Sequence, residues 1–461
     1  MKLNTLSSTQ TTPINECYVH IGMHKTGSSS IQHNLYRHLS DNHFVYAQME
    51  IPNHSIPIYS MFAEDLSLAI SYFRNTLNED EIIQYNLEKK RMLVENIQNN
   101  PGKNFIISGE GITKLRQERG LRDFHRFLSD HFEKITIIGY VRPPISFMES
   151  ALQQRVKSGT LVKFLPSNLY PNYRQCFEKF DHEFGIDNVI LRKYDPNIFP
   201  GNDVVLDFCE TLDIKINPDS VERFNESLSR DVVCMLYAYN KYHGGFGGRI
   251  NMPRENTLIN NALSEIGSGK IKLSPDVVLP IIDNNKADIE WMERRLGDTL
   301  NEAIDVQDKM ICSEDDLLKP SAESIQALKK LITPEVSTSN TPVSPIEIAG
   351  MIHELRSKLI SENNHVSNNK TDHNVSETGE LVLNMDQLLK SIRTKNPELI
   401  NKLSKKQVFN LLSEVFTDIN EKINSMESGK IHIPSFGVFI VKNTVNNNTG
   451  KSVKRIIFRP K

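Results

Sequence analysis

In the stretch HIGMHKTGSSSIQ, residues 20–32, a lysine stands two residues before a glycine and three serines follow at once. Together Lys25, Thr26, Gly27, Ser28 and Ser29 offer an ammonium, hydroxyls and, if a helix begins here, free backbone N–H groups. A helix start after a strand favours anions such as phosphate, because the first N–H groups lack intrahelical partners and the helix dipole is positive there. A tight strand-to-helix turn with a serine cap fits the same residues without any ligand.

A second stretch, IIGYVRPPISFMESALQQRVKSG at 137–159, repeats the pattern of apolar run, turn and helix. Arg142 falls at the end of the apolar run and Ser150 eight residues later on the helical part. An arginine gives phosphate a bidentate partner, and a serine hydroxyl can add another donor. In the P-loop of ATPases and GTPases the lysine directly follows the last glycine. Here Lys25 precedes Gly27, so a Walker-type site is not matched.

The elements that must hold these residues follow from periodicity. Residues 17–22 (CYVHIG), 105–108 (FIIS), 135–141 (ITIIGYV) and 189–194 (VILRKY) read as buried strands. Helical spacing appears from Ser28 through Ile31, Leu35 and Leu39, and again over 80–98 and 145–157. Strands alternating with helices predict an α/β fold with a mainly parallel sheet, whose ligands gather beyond the strands' carboxyl ends. That rule brings Arg142 and the 24–29 loop to one edge.

Beyond about residue 215 the pattern is largely helical, interrupted by HGGFGGR at 243–249. The polar tract TPEVSTSNTPVSP, a helix candidate at 346–361 and ENNHVSNNKTDHNVSETG read as a linker with a short helix. The organisation predicted is 1–330, linker 331–379, and a small α+β domain at 380–461. In that last part, Leu388 to Ile423 give two amphipathic helices, and KIHIPSFGVFIVKN and KSVKRIIFRP give strands around NNNTGK.

The 461-residue chain has five widely spaced cysteines and no Cys-x-x-Cys pair, which argues against a disulfide framework or a structural zinc. Its 38% hydrophobic and 24% charged residues fit a globular protein, and no apolar run reaches a membrane span. The first residues lack the apolar core of a secretory signal, so a cytoplasmic location is expected. Net charge is −3, yet residues 380–461 hold 14 Lys and Arg against 7 Asp and Glu. An acidic body thus carries a basic tail, a pattern that points to an anionic partner or to a solvated lysine surface.

The two anion motifs together resemble the sulfotransferase family, particularly its bacterial glycan-type members, whose fold is a P-loop-NTPase-like parallel sheet. The resemblance runs over about residues 16–310 and includes SGEG (108–111), RKYDP (192–196) and FNESLS (224–229). It implies that Lys25, Thr26, Gly27, Ser28 and Ser29 hold the 5′-phosphosulfate end of 3′-phosphoadenosine 5′-phosphosulfate (PAPS). It likewise implies that Arg142 and Ser150 bind the 3′-phosphate that distinguishes PAPS from ATP. No metal is implied. The general base is then Glu110, at the position where glycan members place a glutamate, or His24. Lys25 is the catalytic cation. His20 reads as a core histidine, and Arg192 and Tyr194 as packing or pairing residues.

The tail, over about 381–461, resembles the HU/IHF family of histone-like DNA-binding proteins, through Phe-Gly-Val-Phe at 436–439 and Phe-Arg-Pro at 458–460. The resemblance implies a homodimer and contacts to duplex DNA from Lys442, Lys451, Lys454 and Arg455. The sequence departs at the arm, which lacks the Arg-Asn-Pro tip, so dimerisation without strong DNA binding fits as well. Two other readings remain open: a DNA-associated protein whose first domain binds nucleotide without turnover, and a phosphotransferase.

Overall fold

The computed structural model describes residues 16–370, apart from 66, 70–72, 74–76, 223–226, 244–251, 305 and 334–341, together with the strands 429–433, 437–445 and 452–460. The chain divides into two compact units, Met1–His365 and Val366–Lys461.

The first unit opens with β1 (Glu16–Gly22), α1 (Ser28–His38) and β2 (Phe44–Tyr46). There follow α2 (Ser55–Phe62), α3 (Glu79–Gln98), β3 (Asn104–Ser108), α4 (Arg122–Ser129), β4 (Lys134–Val141), α5 (Pro144–Lys157), α6 (Tyr173–Phe184) and β5 (Val189–Lys193). The rest is helical: α7 (Val204–Thr211), α8 (Arg230–Tyr242), α9 (Met252–Leu263), α10 (Pro275–Asn284), α11 (Lys286–Leu296), α12 (Ala322–Ile332) and α13 (Pro345–Lys370).

The five strands form a parallel sheet in the order β2-β3-β1-β4-β5, so the expected parallel α/β sheet is present. Its register sets Val19 of β1 opposite both Ile107 of β3 and Ile137 of β4. Because strand side chains alternate, Cys17, Val19, Ile21, Phe105, Ile107 and Ile137 enter one core. Ile106, Ile138 and Tyr140 enter a second core on the other face, against Ile31 and Leu35 of α1 and Val205 and Phe208 of α7. The chain leaves β1 toward β3 and β2 and later returns to β1's other side with β4. That reversal opens a crevice at the C-terminal ends of β1, β3 and β4.

Helix α13 differs from the expected linker helix at 346–361. It is longer, and Ile348, Ala349, Ile352 and Leu355, at helical spacing, are buried in the core of the first unit. Arg356 fastens it further, bonding the Glu255 carboxylate and, at 3.0 Å, the Tyr239 hydroxyl. The first compact unit runs to His365, and burial of Ile348, Ile352 and Leu355 is worth about 1.5–3 kcal/mol each.

The second unit shows three antiparallel strands, β6 (Gly429–Ile433), β7 (Gly437–Val445) and β8 (Ser452–Pro460), in that order. Lys442 stands opposite Arg455, and Asn443 opposite Lys454. The amphipathic helices expected over 388–423, the NNNTGK turn, Phe436 and Lys451 lie outside the described residues, as do HGGFGGR beyond His243 and FNE of FNESLS.

Candidate active site

The loop between β1 and α1 is shaped by residues with positive φ. Gly22 (84°) ends the strand, Lys25 (70°) takes the left-handed conformation although it is not a glycine, and Gly27 (76°) caps α1. A Cβ on Gly27 would lie 2.6 Å from Val204 Cγ1, so glycine is required by space as well as by φ. The Thr26 hydroxyl donates to the Met23 carbonyl at 2.7 Å, and that of Ser28 to the same oxygen at 3.3 Å. Both hydroxyl protons thus fold the loop onto itself. What the loop offers a ligand is the Lys25 ammonium, the half-buried Ser29 and the first N–H groups of α1.

Met23 N–H donates to the Tyr140 carbonyl at 3.0 Å, binding this loop to β4. The sheet order brings the two expected anion motifs together through a direct contact: Arg142 Nη1 donates to the Lys25 carbonyl at 2.6 Å. Arg142 Nε also donates to Ser146 Oγ at 3.2 Å, and the guanidinium lies over the Tyr194 ring, 5.4 Å from its centre. The Tyr173 hydroxyl donates to the Arg142 carbonyl at 2.7 Å. Ser150, half-buried, stands one turn beyond Ser146 on α5, and Gln154 one turn beyond that. Lys25 Nζ donates to Gln154 Oε1 at 3.2 Å.

Burial, with Lys157 and Arg142 nearby, pushes the Lys25 ammonium down to about 8, against a weaker pull from Glu110. Burial also lowers Arg142 and Lys157. None of these three cations has a carboxylate within ion-pair distance among the described residues.

Glu110 follows β3 in a 3-10 turn, and a Cβ on Gly22 would come 3.0 Å from its own Cβ. Its Oε2 accepts from Gln32 Nε2 at 3.0 Å, Asn53 Nδ2 at 3.3 Å and Ser55 Oγ at 3.4 Å. Burial raises its carboxyl, but the Gln32 bond, its own backbone and the neighbouring His24 and His20 outweigh that and hold it below the usual range. His24, half-exposed, brings Nδ1 to 3.9 Å from Glu110 Oε1. Burial, with Lys114 and Lys25, lowers His24 against the pull of Glu110, so the imidazole is mainly neutral near pH 7.

His20 is a core residue. It is fully buried, its Nδ1 lies 2.7 Å from Ser108 Oγ, and the Tyr140 and Phe208 rings meet its edge. Arg192 pairs with Asp207 through two bonds of 2.9 and 2.6 Å. His54, also fully buried, accepts the Ser108 N–H on Nδ1 at 3.1 Å and lies over Tyr46. In both histidines Nε2 has no hydrogen-bond partner among the described residues. Burial holds His20 down to about 4 and His54 to about 3, against an ordinary value near 6.5.

An acid-sensitive fold follows, with a definite sign. The folded state binds fewer protons than the unfolded one, so the stability is fully present above about pH 6.5 and is lost as pH falls toward 4. For His20 alone the loss by pH 4 is on the order of 3 kcal/mol. Urea midpoints are expected to drop clearly between pH 7 and 5, and to drop less in His20→Asn. Equal midpoints at both pH values would contradict this assignment.

Sequence spacing picks out the loop, Arg142 and Ser150, and the family resemblance adds Glu110, but neither picks out Gln32, Asn53, Ser55, Ser146, Gln154 or Lys157. Gln32 and Gln154 each stand four residues after a motif serine, a helical-face signal that was available. Asn53 and Ser55 carry no motif. Among the described residues no group of three or more His, Cys, Asp or Glu is placed to hold a metal ion, and no helix is long and apolar enough to cross a membrane.

No protein-family model matches the chain, and no curated protein does. Several solved structures are similar to it, two of them sulfotransferases. One is the sulfotransferase domain from the Synechococcus PCC 7002 olefin synthase, 12% identical over 54% of this chain and 86% of that one, with a TM-score of 0.28. The other is a sulfotransferase from Alicyclobacillus acidocaldarius, 17% identical over 48% and 91%, with a TM-score of 0.29. It is the geometry of the site, and not these likenesses, that bears on function.

Proposed function

We propose that the first unit transfers a sulfuryl group from PAPS to a hydroxyl or amine acceptor. The observation that carries this reading is the bond from Arg142 to the Lys25 carbonyl, which joins two cationic subsites at the ends of adjacent strands. One subsite, Lys25 with Ser29 and the start of α1, suits a phosphosulfate. The other, Arg142 with Ser150, suits a second phosphate, which PAPS carries on its 3′ oxygen and ATP lacks. The residues therefore fit this donor.

In the transfer, an S–O or S–N bond forms from the acceptor's oxygen or nitrogen as the S–O bond to the donor's phosphate breaks. Negative charge then accumulates on the departing phosphate oxygen, where the Lys25 ammonium and the α1 N–H groups stabilise it. The acceptor's proton goes to a base at the same mouth. Glu110 is that base: it is charged at neutral pH, and Gln32, Asn53 and Ser55 fix its orientation. His24 is the alternative acceptor of the proton. The test is transfer of labelled sulfate from PAPS across sugars, phenols and amines. Transfer to at least one class is expected; PAPS binding with no transfer to any would favour a nucleotide-binding protein without turnover.

For the tail we propose non-specific binding to duplex DNA by a homodimer, supported by its excess of 14 Lys and Arg over 7 Asp and Glu. Phosphate contacts from Lys442, Lys451, Lys454 and Arg455 predict an affinity that falls steeply with salt and depends little on sequence. With no proline at the arm tip, little bending is expected. A salt series on random duplex with the full chain checks both. Failure to bind at low salt would leave dimerisation as the role of this unit.

A further inference from the structure

Helix α5 presents Ser146, Ser150, Gln154 and Lys157 at intervals of four, four and three residues, which puts them on one stripe. From Ser146 to Lys157 the stripe spans about 16 Å at about 1.5 Å per residue. Its first three members are accounted for by the reading above, on which this inference rests. Ser146 positions Arg142, Ser150 completes the 3′-phosphate subsite, and Gln154 holds Lys25.

Lys157 remains. It is half-buried and stands one turn past Gln154, at the end of the helix away from Arg142. Among described residues it forms no ion pair. Its charge acts on Lys25. Along α5 the order is Ser146 beside Arg142, then Ser150, then Gln154 bonded to Lys25, then Lys157, so Lys157 stands one turn past the Lys25 contact on the side away from Arg142. The donor's two anionic ends are matched by Arg142 and Lys25. A third cation kept close to Lys25 without a carboxylate is unfavourable in the empty site, and a second anion arriving with the acceptor relieves that repulsion.

We propose that Lys157 is a specificity residue for the acceptor: it recognises an anionic group, such as a carboxylate, carried near the hydroxyl that receives the sulfuryl group.

The test uses the full chain, as wild type, Lys157→Ala and Lys157→Arg. Adenosine 3′,5′-bisphosphate reports the donor site by calorimetry. Sulfuryl transfer from PAPS is then compared within two matched acceptor pairs: an unsulfated uronate polysaccharide with its carboxyl-reduced form, and 4-hydroxybenzoate with 4-hydroxybenzyl alcohol. Wild type is expected to prefer the acid of at least one pair by about tenfold or more in kcat/KM, the scale of one charged hydrogen bond. Lys157→Ala should lose that preference, Lys157→Arg should keep most of it, and donor affinity should stay within about twofold in all three. The proposal is overturned if wild type prefers neither acid, if Lys157→Ala keeps the preference, or if Lys157→Ala loses donor affinity, which would make Lys157 a donor ligand. A wild type that does not bind the bisphosphate at all would instead remove the donor reading beneath it.

Discussion

Replacing Lys25 with alanine is expected to abolish most of the thermal stabilisation that adenosine 3′,5′-bisphosphate gives the wild-type chain. A ligand that binds only the native state at a hundred times its Kd stabilises by about 2.7 kcal/mol, a shift of several degrees that is easily read. On the proposed reading Lys25 supplies the positive charge facing the 5′ end, and its backbone conformation survives the change, because alanine carries the same Cβ at the same positive φ. Arg142→Ala should remove a comparable share, since on the same reading it deletes the 3′ partner, and it also frees the Lys25 carbonyl. pH offers an independent readout. In the free protein Lys25 is held down to about 8, so its ammonium is present at neutral pH and is lost above about pH 8, where binding the dianion must take up a proton. Affinity should accordingly fall from pH 7 to 9. Ligand-induced stabilisation that is unchanged in both variants would show that the cradle lies elsewhere.

Glu110→Gln is the second large effect. The amide keeps the shape of the side chain but cannot take up the acceptor's proton, and loss of general-base help costs about 10²–10⁴-fold in rate. Donor binding should hardly change. The pH profile of kcat/KM separates the two candidate bases. With Glu110, whose carboxyl lies below the usual carboxylate range, activity should stay level from about pH 7 down to about pH 5. With His24 it would decline earlier, as the imidazole gains its proton. Full turnover in Glu110→Gln together with loss in His24→Ala would transfer the role to His24.

What the sequence disclosed and what it hid follow from the range of the interactions. β1, β3 and β4 are visible as apolar runs because both faces of the sheet are covered, so nearly every position is buried, whereas in the edge strand β5 only Val189 is fully buried. β2 has only three residues, Phe44–Tyr46, too few for any period to register. Lys25 and Arg142 are each legible from local spacing, but their contact depends on β1 and β4 being neighbours. The setting of Glu110 is wholly non-local: Gln32, Asn53 and Ser55 reach it from 78, 57 and 55 residues away. The hydroxyls of Thr26 and Ser28 look like ligand donors in the sequence, yet they are spent on Met23. In α13 the apolar spacing was readable. Its burial was not, because the polar tracts beside it give no hint that Ile348, Ile352 and Leu355 have a core to enter.

The central claim is that the cradle is built for a nucleotide with a 3′-phosphate. Its most direct test is calorimetric titration of the full-length protein with adenosine 3′,5′-bisphosphate and, separately, with ATP. The predicted result is saturable binding of the bisphosphate, tighter than ATP by about tenfold or more, since only the bisphosphate engages Arg142 and Ser150 while Lys25 holds its other end. Equal or tighter binding of ATP, or no binding of the bisphosphate, would contradict it.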